Sequence, residues 1–153
     1  MLLWVGALSG CEPFAADPNG PTQVELTGDL TTAQVVAVHN AVLEVNMAVG
    51  REVFIVRGDH FGRRGRVTIN AARAPKGYDA YTHMYPSRAE INLGATDDQN
   101  MVVHELIHVI LGGEHAHSQD PADVFFPRVR DSQTITTPTV IRMQLQQGMT
   151  PEP

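Results

Sequence analysis

The chain has 153 residues, of which 42% are hydrophobic and 18% are charged, and its formal net charge is −6. That length and composition predict one globular domain with enough apolar residues to form a core. The mild acidity provides no basic surface for nucleic acid, so we expect no nucleic-acid partner. Cys11 is the only cysteine, which excludes a disulfide framework and a cysteine-ligated zinc site.

Residues 1–11 form a short apolar run, too short to span a bilayer, that ends in Leu8–Cys11 (LSGC). These last four residues resemble the lipobox of bacterial lipoproteins. The resemblance implies that 1–11 is a lipoprotein signal peptide and that Cys11 carries the lipid anchor. Residues 12–23, with three prolines, then predict a flexible linker. The alternative is a soluble chain whose N-terminus forms an apolar strand.

Hydrophobic periodicity predicts the first helix and three strands. Valines recur every three or four residues from Thr31 or Thr32 to Val49, which predicts a helix. A short strand is expected before it and two after it. The predicted strands are Val24–Leu26, Glu52–Arg57 and Arg66–Asn70.

The next part of the chain leads into the second helix. Residues 71–86 contain two prolines and a glycine and predict irregular structure. Ser87–Leu93 then alternates as a strand does. An edge strand at this place would pair with an extended peptide, whereas an internal strand would show the same alternation because of core packing. The sequence leaves both interpretations open.

A second helix is predicted to begin near Thr96, which has the spacing of a capping box with Gln99. Asp97 and Asp98 then fall in the first turn, where negative charge favours the helix dipole. The glycine pair 112–113 ends the helix.

This helix carries the motif H-E-x-x-H as His104, Glu105 and His108. Residues four apart lie on one helix face, so the two imidazoles can bind one metal ion. Imidazole ligands at tetrahedral geometry favour zinc, and catalytic zinc sites keep one position for water. Glu105 lies about 100° round the helix from His104. It is placed to take a proton from that water during attack on a carbonyl. The alternative is a pair of ordinary half-buried histidines.

A third ligand is expected just past the glycine pair, where His115 and His117 follow. A glycine turn allows the chain to fold back toward the first two histidines. Only Ala116 separates His115 from His117, so their side chains would point apart in an extended segment and one of them would bind.

The pattern of residues 104–127 resembles the metzincin zinc endopeptidases, and matrixin-like members in particular. Their signature H-E-x-x-H-x-x-G-x-x-H precedes a methionine-containing turn beneath the metal. His104–His108 matches its first five positions, and His117–Pro127 (HSQDPADVFFP) is similar to the third-histidine segment H-S-x-D-P-x-x-[LV]-M-Y-P. The resemblance implies an α+β fold in which a twisted mixed β-sheet accompanies an N-terminal helix, an active-site helix and a C-terminal helix.

Two positions depart from that signature. His115 and His117 lie seven and nine positions after His108, whereas the signature places its third histidine six positions after the second. His117 fits the downstream match and His115 fits the glycine turn, and we prefer His117. Phe125 occupies the methionine position, where it changes the packing beneath the ligands.

The last predicted element is the C-terminal helix of Thr137–Gly148. Thr137 is expected as its cap, Pro138 suits its first position, and Gly148 ends it. Four of its apolar side chains are expected to face the core: Val140, Ile141, Met143 and Leu145.

These observations predict a zinc endopeptidase domain at residues 24–149 that acts on peptide or protein substrates. His104, His108 and His117, or His115 in its place, would bind Zn²⁺. Glu105 would act as the general base and then as the proton donor to the leaving amine.

We expect a monomer in the bacterial cell envelope, on its periplasmic face or at the cell surface, held to the membrane by the lipid anchor alone. One alternative is a catalytically degenerate zinc-binding lipoprotein that acts as a binding module, for which Phe125 and the altered histidine spacing are the evidence. Another is an interaction domain without a metal.

Overall fold

The structure, a computed structural model, describes residues 15–57, 66–112 and 117–151. Within these ranges five strands form one mixed sheet and three helices accompany it. The strands are β1 (Thr22–Thr27), β2 (Phe54–Arg57), β3 (Arg66–Asn70), β4 (Tyr81–Tyr85) and β5 (Arg88–Asn92). The helices are α1 (Thr32–Val49), α2 (Gln99–Leu111) and α3 (Thr137–Gln146). This confirms the predicted α+β class with its N-terminal, central and C-terminal helices.

The sheet has the strand order β2-β1-β3-β5-β4. Its first four strands run parallel, and β4 runs antiparallel to β5 at one edge. One face of the sheet is apolar: Val67 and Ile69 of β3 are fully buried, whereas Thr68 between them points to the other face. The edge position of β4 leaves one side of its backbone without a partner strand among the described residues.

Helix α1 begins with the capping box that its sequence favours. The Thr31 hydroxyl accepts from the Gln34 amide, and the Gln34 side chain accepts from the Thr31 amide. The helix ends at Gly50, whose φ of 86° lies in the left-handed region. The predicted valine stripe packs inward, and His39 is exposed. The buried residues of α1, α2 and the sheet form one continuous core.

Strand β4 lies inside the segment predicted to be irregular. Pro86 and Ser87 form the two-residue turn between β4 and β5, and Tyr85 pairs directly with Arg88. A proline is favoured inside such a turn, so Pro86 ends a strand rather than marking irregular structure. Strand β5 is internal, between β3 and β4. The edge strand next to α2 is therefore β4, and the edge interpretation of Ser87–Leu93 was wrong.

Helix α2 begins two residues later than the predicted capping box requires. Its N-cap is Asp98, whose carboxylate accepts from the Asn100 amide at 2.9 Å. Thr96 instead accepts from the Asp98 amide, at 3.2 Å, in the preceding turn. The end of the helix is as predicted, because Gly112 adopts a φ of 76°.

The chain before β1 is packed against the domain where it is described. Ala16 is buried, and its amide donates to the Val109 carbonyl of α2 at 3.1 Å. Strand β1 begins at Thr22. Residues 15–23 were predicted as part of a flexible linker, but they lie on the domain surface and in β1. Residues 1–14, with Cys11, lie outside the described residues.

Helix α3 begins at Thr137 with Thr136 as its N-cap, one residue earlier than predicted, and Pro138 lies in its first turn. Met143 is buried, but Ile141 is 37% exposed and Leu145 is 59% exposed. The prediction that these two face the core was wrong, because the helix packs along a narrower stripe. None of the described helices is long and apolar enough to cross a membrane.

Candidate metal centre

Three histidine side chains converge on one point at the centre of the molecule. The Nε2 atoms of His104, His108 and His117 are each 3.2 Å from the other two. His104 and His108 project from adjacent turns of α2, and His117 lies just beyond residues 113–116. His115 lies outside the described residues.

The spacing of the three nitrogens fits a zinc ion. Three zinc–nitrogen bonds of about 2.0–2.1 Å at tetrahedral angles hold their nitrogens about 3.3 Å apart. Three Nε2 atoms at 3.2 Å reproduce one face of that tetrahedron and leave its fourth corner for another ligand. The same three atoms without a cation would place three nitrogen lone pairs or protons against each other. The donor set therefore suits Zn²⁺.

The surroundings favour the neutral forms of His104 and His117, which is the form that binds a metal. Burial is the main cause that lowers the pKa of His104 to about 4, and the positive charge of a protonated His117 acts in the same direction, whereas the hydrogen bond to Val124 and the charge of Asp123 act against it. Burial and the nearby Arg142 guanidinium lower the pKa of His117. His104 Nδ1 also lies 2.8 Å from the Val124 carbonyl oxygen. Because a carbonyl only accepts, Nδ1 donates and Nε2 carries the lone pair.

Glu105 lies beside the three histidines and is 6% exposed. Burial raises the pKa of its carboxyl group from 4.5 to about 7, although interactions with the hydroxyl and the backbone of Thr82 act in the opposite direction. The Thr82 hydroxyl donates to Glu105 Oε2 at 2.5 Å. A carboxyl group with a pKa near neutrality can both accept and return a proton at physiological pH.

Phe125 forms the floor beneath the histidines. Its side chain is fully buried, and its ring centroid lies 5.3, 4.9 and 5.0 Å from those of His104, His108 and His117 respectively. The Arg142 guanidinium lies 5.4 Å from the same ring. The residue at the methionine position of the family signature thus contacts all three imidazoles, as an aromatic ring.

The turn that carries Phe125 is held by Asp123, a fully buried acid. Its Oδ1 accepts from the Phe125 amide at 3.0 Å, and its Oδ2 accepts from the hydroxyls of Thr136 and Thr139. Burial alone would raise the pKa of Asp123, but these hydrogen bonds and one from Ser118 together lower it. Asp123 therefore anchors the floor to the start of α3.

A cleft of about 970 Å³ opens over the three histidines and Glu105. One wall is β4 with the residues before it, and the other wall is Pro127–Val129. The cleft thus places the open edge of the sheet alongside the histidine cluster.

Comparison with known structures supports the same architecture. The fold is similar to that of high choriolytic enzyme 1, a hatching-enzyme zinc protease from the medaka fish Oryzias latipes, with a TM-score of 0.59. The match covers 98% of this chain and 99% of that chain at 11% sequence identity. No protein-family model matches the sequence, and no curated protein matches it. The fold is metzincin-like, and at this identity the likeness shows the fold alone.

The structure brings together four residues singled out from the sequence, His104, Glu105, His108 and His117. Sequence reasoning missed Thr82 and Asp123. Thr82 lies 23 positions before Glu105 along the chain, and no local pattern connects them. Asp123 had one available signal, because it sits two residues before Phe125 and an aspartate commonly accepts from an amide two residues on.

The hydrogen bonds that Asp123 accepts predict that replacing this residue lowers the stability of the protein. Asp123→Ala leaves the Phe125 amide and the hydroxyls of Thr136 and Thr139 without their acceptor, so the free energy of unfolding should fall by about 2–4 kcal/mol. Urea denaturation monitored by circular dichroism measures the change. Asp120→Ala is the matched control, because Asp120 is exposed in the same loop and accepts from a single amide, that of Ala122; it should lower stability by about 1 kcal/mol or less. Equal losses in both variants would contradict the anchoring role of Asp123.

The raised pKa of Glu105 predicts a pH-dependent gain in stability for Glu105→Gln in metal-free protein. Folding favours the neutral acid, so this group costs the wild type stability as the pH rises from 4.5 through about 7. The glutamine variant cannot ionise and should be more stable than wild type by ~3 kcal/mol at pH ~8, and by much less at pH ~5. Urea denaturation with a chelator present measures both. A difference independent of pH would show that Glu105 is not perturbed by burial.

Proposed function

We propose that this chain is a zinc-dependent endopeptidase. The observation that carries the proposal is the convergence of His104, His108 and His117, with Nε2 atoms 3.2 Å apart, beside the buried carboxyl group of Glu105. This donor set with an adjacent acid fits metal-assisted hydrolysis of a carbonyl compound. The metzincin-like fold supports a peptide as the substrate class.

The three histidines would hold the zinc ion. When bound, that ion would supply a Lewis acid that polarises a peptide carbonyl and lowers the pKa of a water molecule. The protein contributes neutral imidazoles in fixed orientation: burial keeps His104 unprotonated, and the Val124 carbonyl fixes its tautomer. Phe125 excludes solvent from beneath the rings.

Glu105 would move the protons of the reaction. Its carboxylate takes a proton from the attacking water, and the resulting acid gives that proton to the nitrogen of the departing amine. A pKa near 7 suits both steps, because neither the acid nor the base is then strongly favoured at neutral pH. The low polarity around this residue also strengthens its interaction with developing charge.

Strand β4 would bind the substrate. It is the edge strand of the sheet and lines the cleft along its length. A peptide in extended conformation can add to such an edge through main-chain hydrogen bonds. That mode of binding holds a scissile carbonyl next to the histidine cluster without requiring a particular side chain.

The rival function is a zinc-binding module without catalysis. Its evidence in the sequence was the altered histidine spacing and Phe125. The position of His117 beside His104 and His108 weakens the first argument, because the longer spacing still allows three nitrogens to meet. Phe125 fills the floor without an opening, which weakens the second argument.

We further propose that the enzyme is matrixin-like and is attached to the bacterial cell envelope through Cys11. The segment HSQDPADVFFP at residues 117–127 supports the first statement, and Leu8–Cys11 supports the second. We expect the mature protein to be monomeric.

The zinc-peptidase proposal predicts one zinc ion per chain and proteolysis of unfolded protein substrates that a chelator abolishes. Glu105→Ala should keep the zinc and lose about 10²–10⁴-fold in cleavage rate, since the proton acceptor is removed and the ligands remain. Metal analysis together with cleavage of labelled casein measures both.

His117→Ala should lower zinc occupancy, because its Nε2 lies 3.2 Å from those of His104 and His108. His115→Ala is the matched variant and should keep the zinc, since we propose His117 as the third ligand. Zinc-loaded wild type that cleaves no peptide would favour the binding module. Wild-type protein without metal would contradict both functions.

The anchoring proposal predicts that Cys11→Ala abolishes lipid attachment. Expressed from the full coding sequence in bacteria, the wild type should incorporate labelled palmitate and partition into detergent. The variant should do neither, because a thiol is needed for the thioether. Incorporation of the label at equal levels in both proteins would contradict this role for Cys11.

A further inference from the structure

Thr82 makes a contact that the proposed mechanism does not yet use. Its hydroxyl donates to Glu105 Oε2 at 2.5 Å, and the Glu105 main-chain carbonyl lies farther away, at 3.4 Å. A hydroxyl has one proton, so the nearer and more basic carboxylate oxygen receives it. Among the described residues, Thr82 is the side chain that hydrogen-bonds this carboxyl group.

The position of Thr82 follows from the register of the edge strand. Thr82 pairs with Ile91 of β5, whose side chain is fully buried. Directly paired residues project to the same face of a sheet, so Thr82 points toward the helices and not to the outer face. Helix α2 packs against β4 on that side and presents Glu105 to the Thr82 hydroxyl.

We propose that Thr82 is a positioning residue that fixes the orientation of the Glu105 carboxylate from the substrate-binding strand. This inference rests on the proposed peptidase function and deepens it. The terminal torsion of a glutamate is broad, so an unanchored carboxylate would sample many orientations. Holding Oε2 leaves Oε1 as the oxygen that receives the proton.

The contact also connects the base to the substrate. The main chain of Thr82 belongs to the edge that would pair with a peptide, and its side chain holds Glu105. A peptide bound to β4 therefore meets a carboxylate that is held in position by a residue of the same strand. Proton transfer depends steeply on such placement, because small displacements of a catalytic group cost large factors in rate.

A purely structural role predicts something different. Threonine is favoured in strands for its β-branched shape, and valine has the same shape without the hydroxyl. A structural Thr82 would tolerate Thr82→Val and suffer from Thr82→Ser, which loses the branch. A positioning Thr82 would show the reverse order.

Steady-state kinetics of the zinc-loaded variants test the proposal. Thr82→Val should lower kcat by about 10–100-fold with KM changed by about twofold or less, because the peptide still pairs with the strand while the base is misplaced. Thr82→Ser should recover most of the lost kcat. The matched control is Thr68→Val on the outer face of β3, which should leave both constants near wild type. An unchanged kcat in Thr82→Val, or equal losses in Thr82→Val and Thr82→Ser, would overturn the proposal.

A double-mutant cycle in metal-free protein tests the contact without relying on activity. Thr82→Val should lower the urea midpoint in the wild-type background and should not lower it in the Glu105→Ala background, where the acceptor is gone. Additive effects on the midpoint would overturn the positioning role even in an active enzyme. Coupled midpoints in a protein that cleaves nothing would instead contradict the peptidase function and leave the contact intact.

Discussion

The hydrogen bond between His104 and the Val124 carbonyl is the constraint on which the rest of the site depends. It joins α2, which carries two of the histidines, to the turn that carries the floor. By donating from Nδ1, His104 is left with a lone pair on Nε2, where the three histidines meet. The next carbonyl in that turn, of Phe125, accepts from the Ser118 amide and so fixes the chain directly after His117. Adjacent peptide units thus orient His104 and the chain beside His117.

The energetics of the site explain why it suits a cation. Burial holds His104 neutral and also disfavours the ionised form of Glu105. In metal-free protein both effects lower the free energy of unfolding, but in different pH ranges. Stability is lost at His104 as the pH falls from 6.5 to about 4, and at Glu105 as the pH rises from 4.5 to about 7. A divalent cation would relieve the second cost, because it places positive charge beside a buried carboxylate. The fold therefore maintains a site whose buried groups would be stabilised by a bound cation.

Local patterns predicted what is local in the structure. Helix periodicity, glycine stops and the i, i+4 spacing determine α1, α2 and the placement of His104 and His108, and all depend on neighbours within a few residues. What the sequence left open depends on contacts between distant segments. The choice between His115 and His117 depends on where the chain returns to the site. Thr82 reaches Glu105 because the register of β4 against β5 turns its side chain toward α2. Pro75, Gly77 and Pro86 predict irregular structure where β4 lies, but Pro86 forms the hairpin turn that ends the strand.

The departures from the family signature have a common physical explanation. In a short glycine turn, the length of the connection itself would set the position of the third histidine. Here the connection is longer, and the turn that carries Phe125 fixes the position of His117. Asp123 fixes the Phe125 turn to α3, and the Phe125 carbonyl holds the Ser118 amide beside His117. Because the floor segment provides these restraints, extra residues between His108 and His117 lengthen the connection in sequence without displacing His117. The buried Phe125 ring contacts all three imidazoles, so the support that the signature assigns to a methionine is provided by an aromatic side chain.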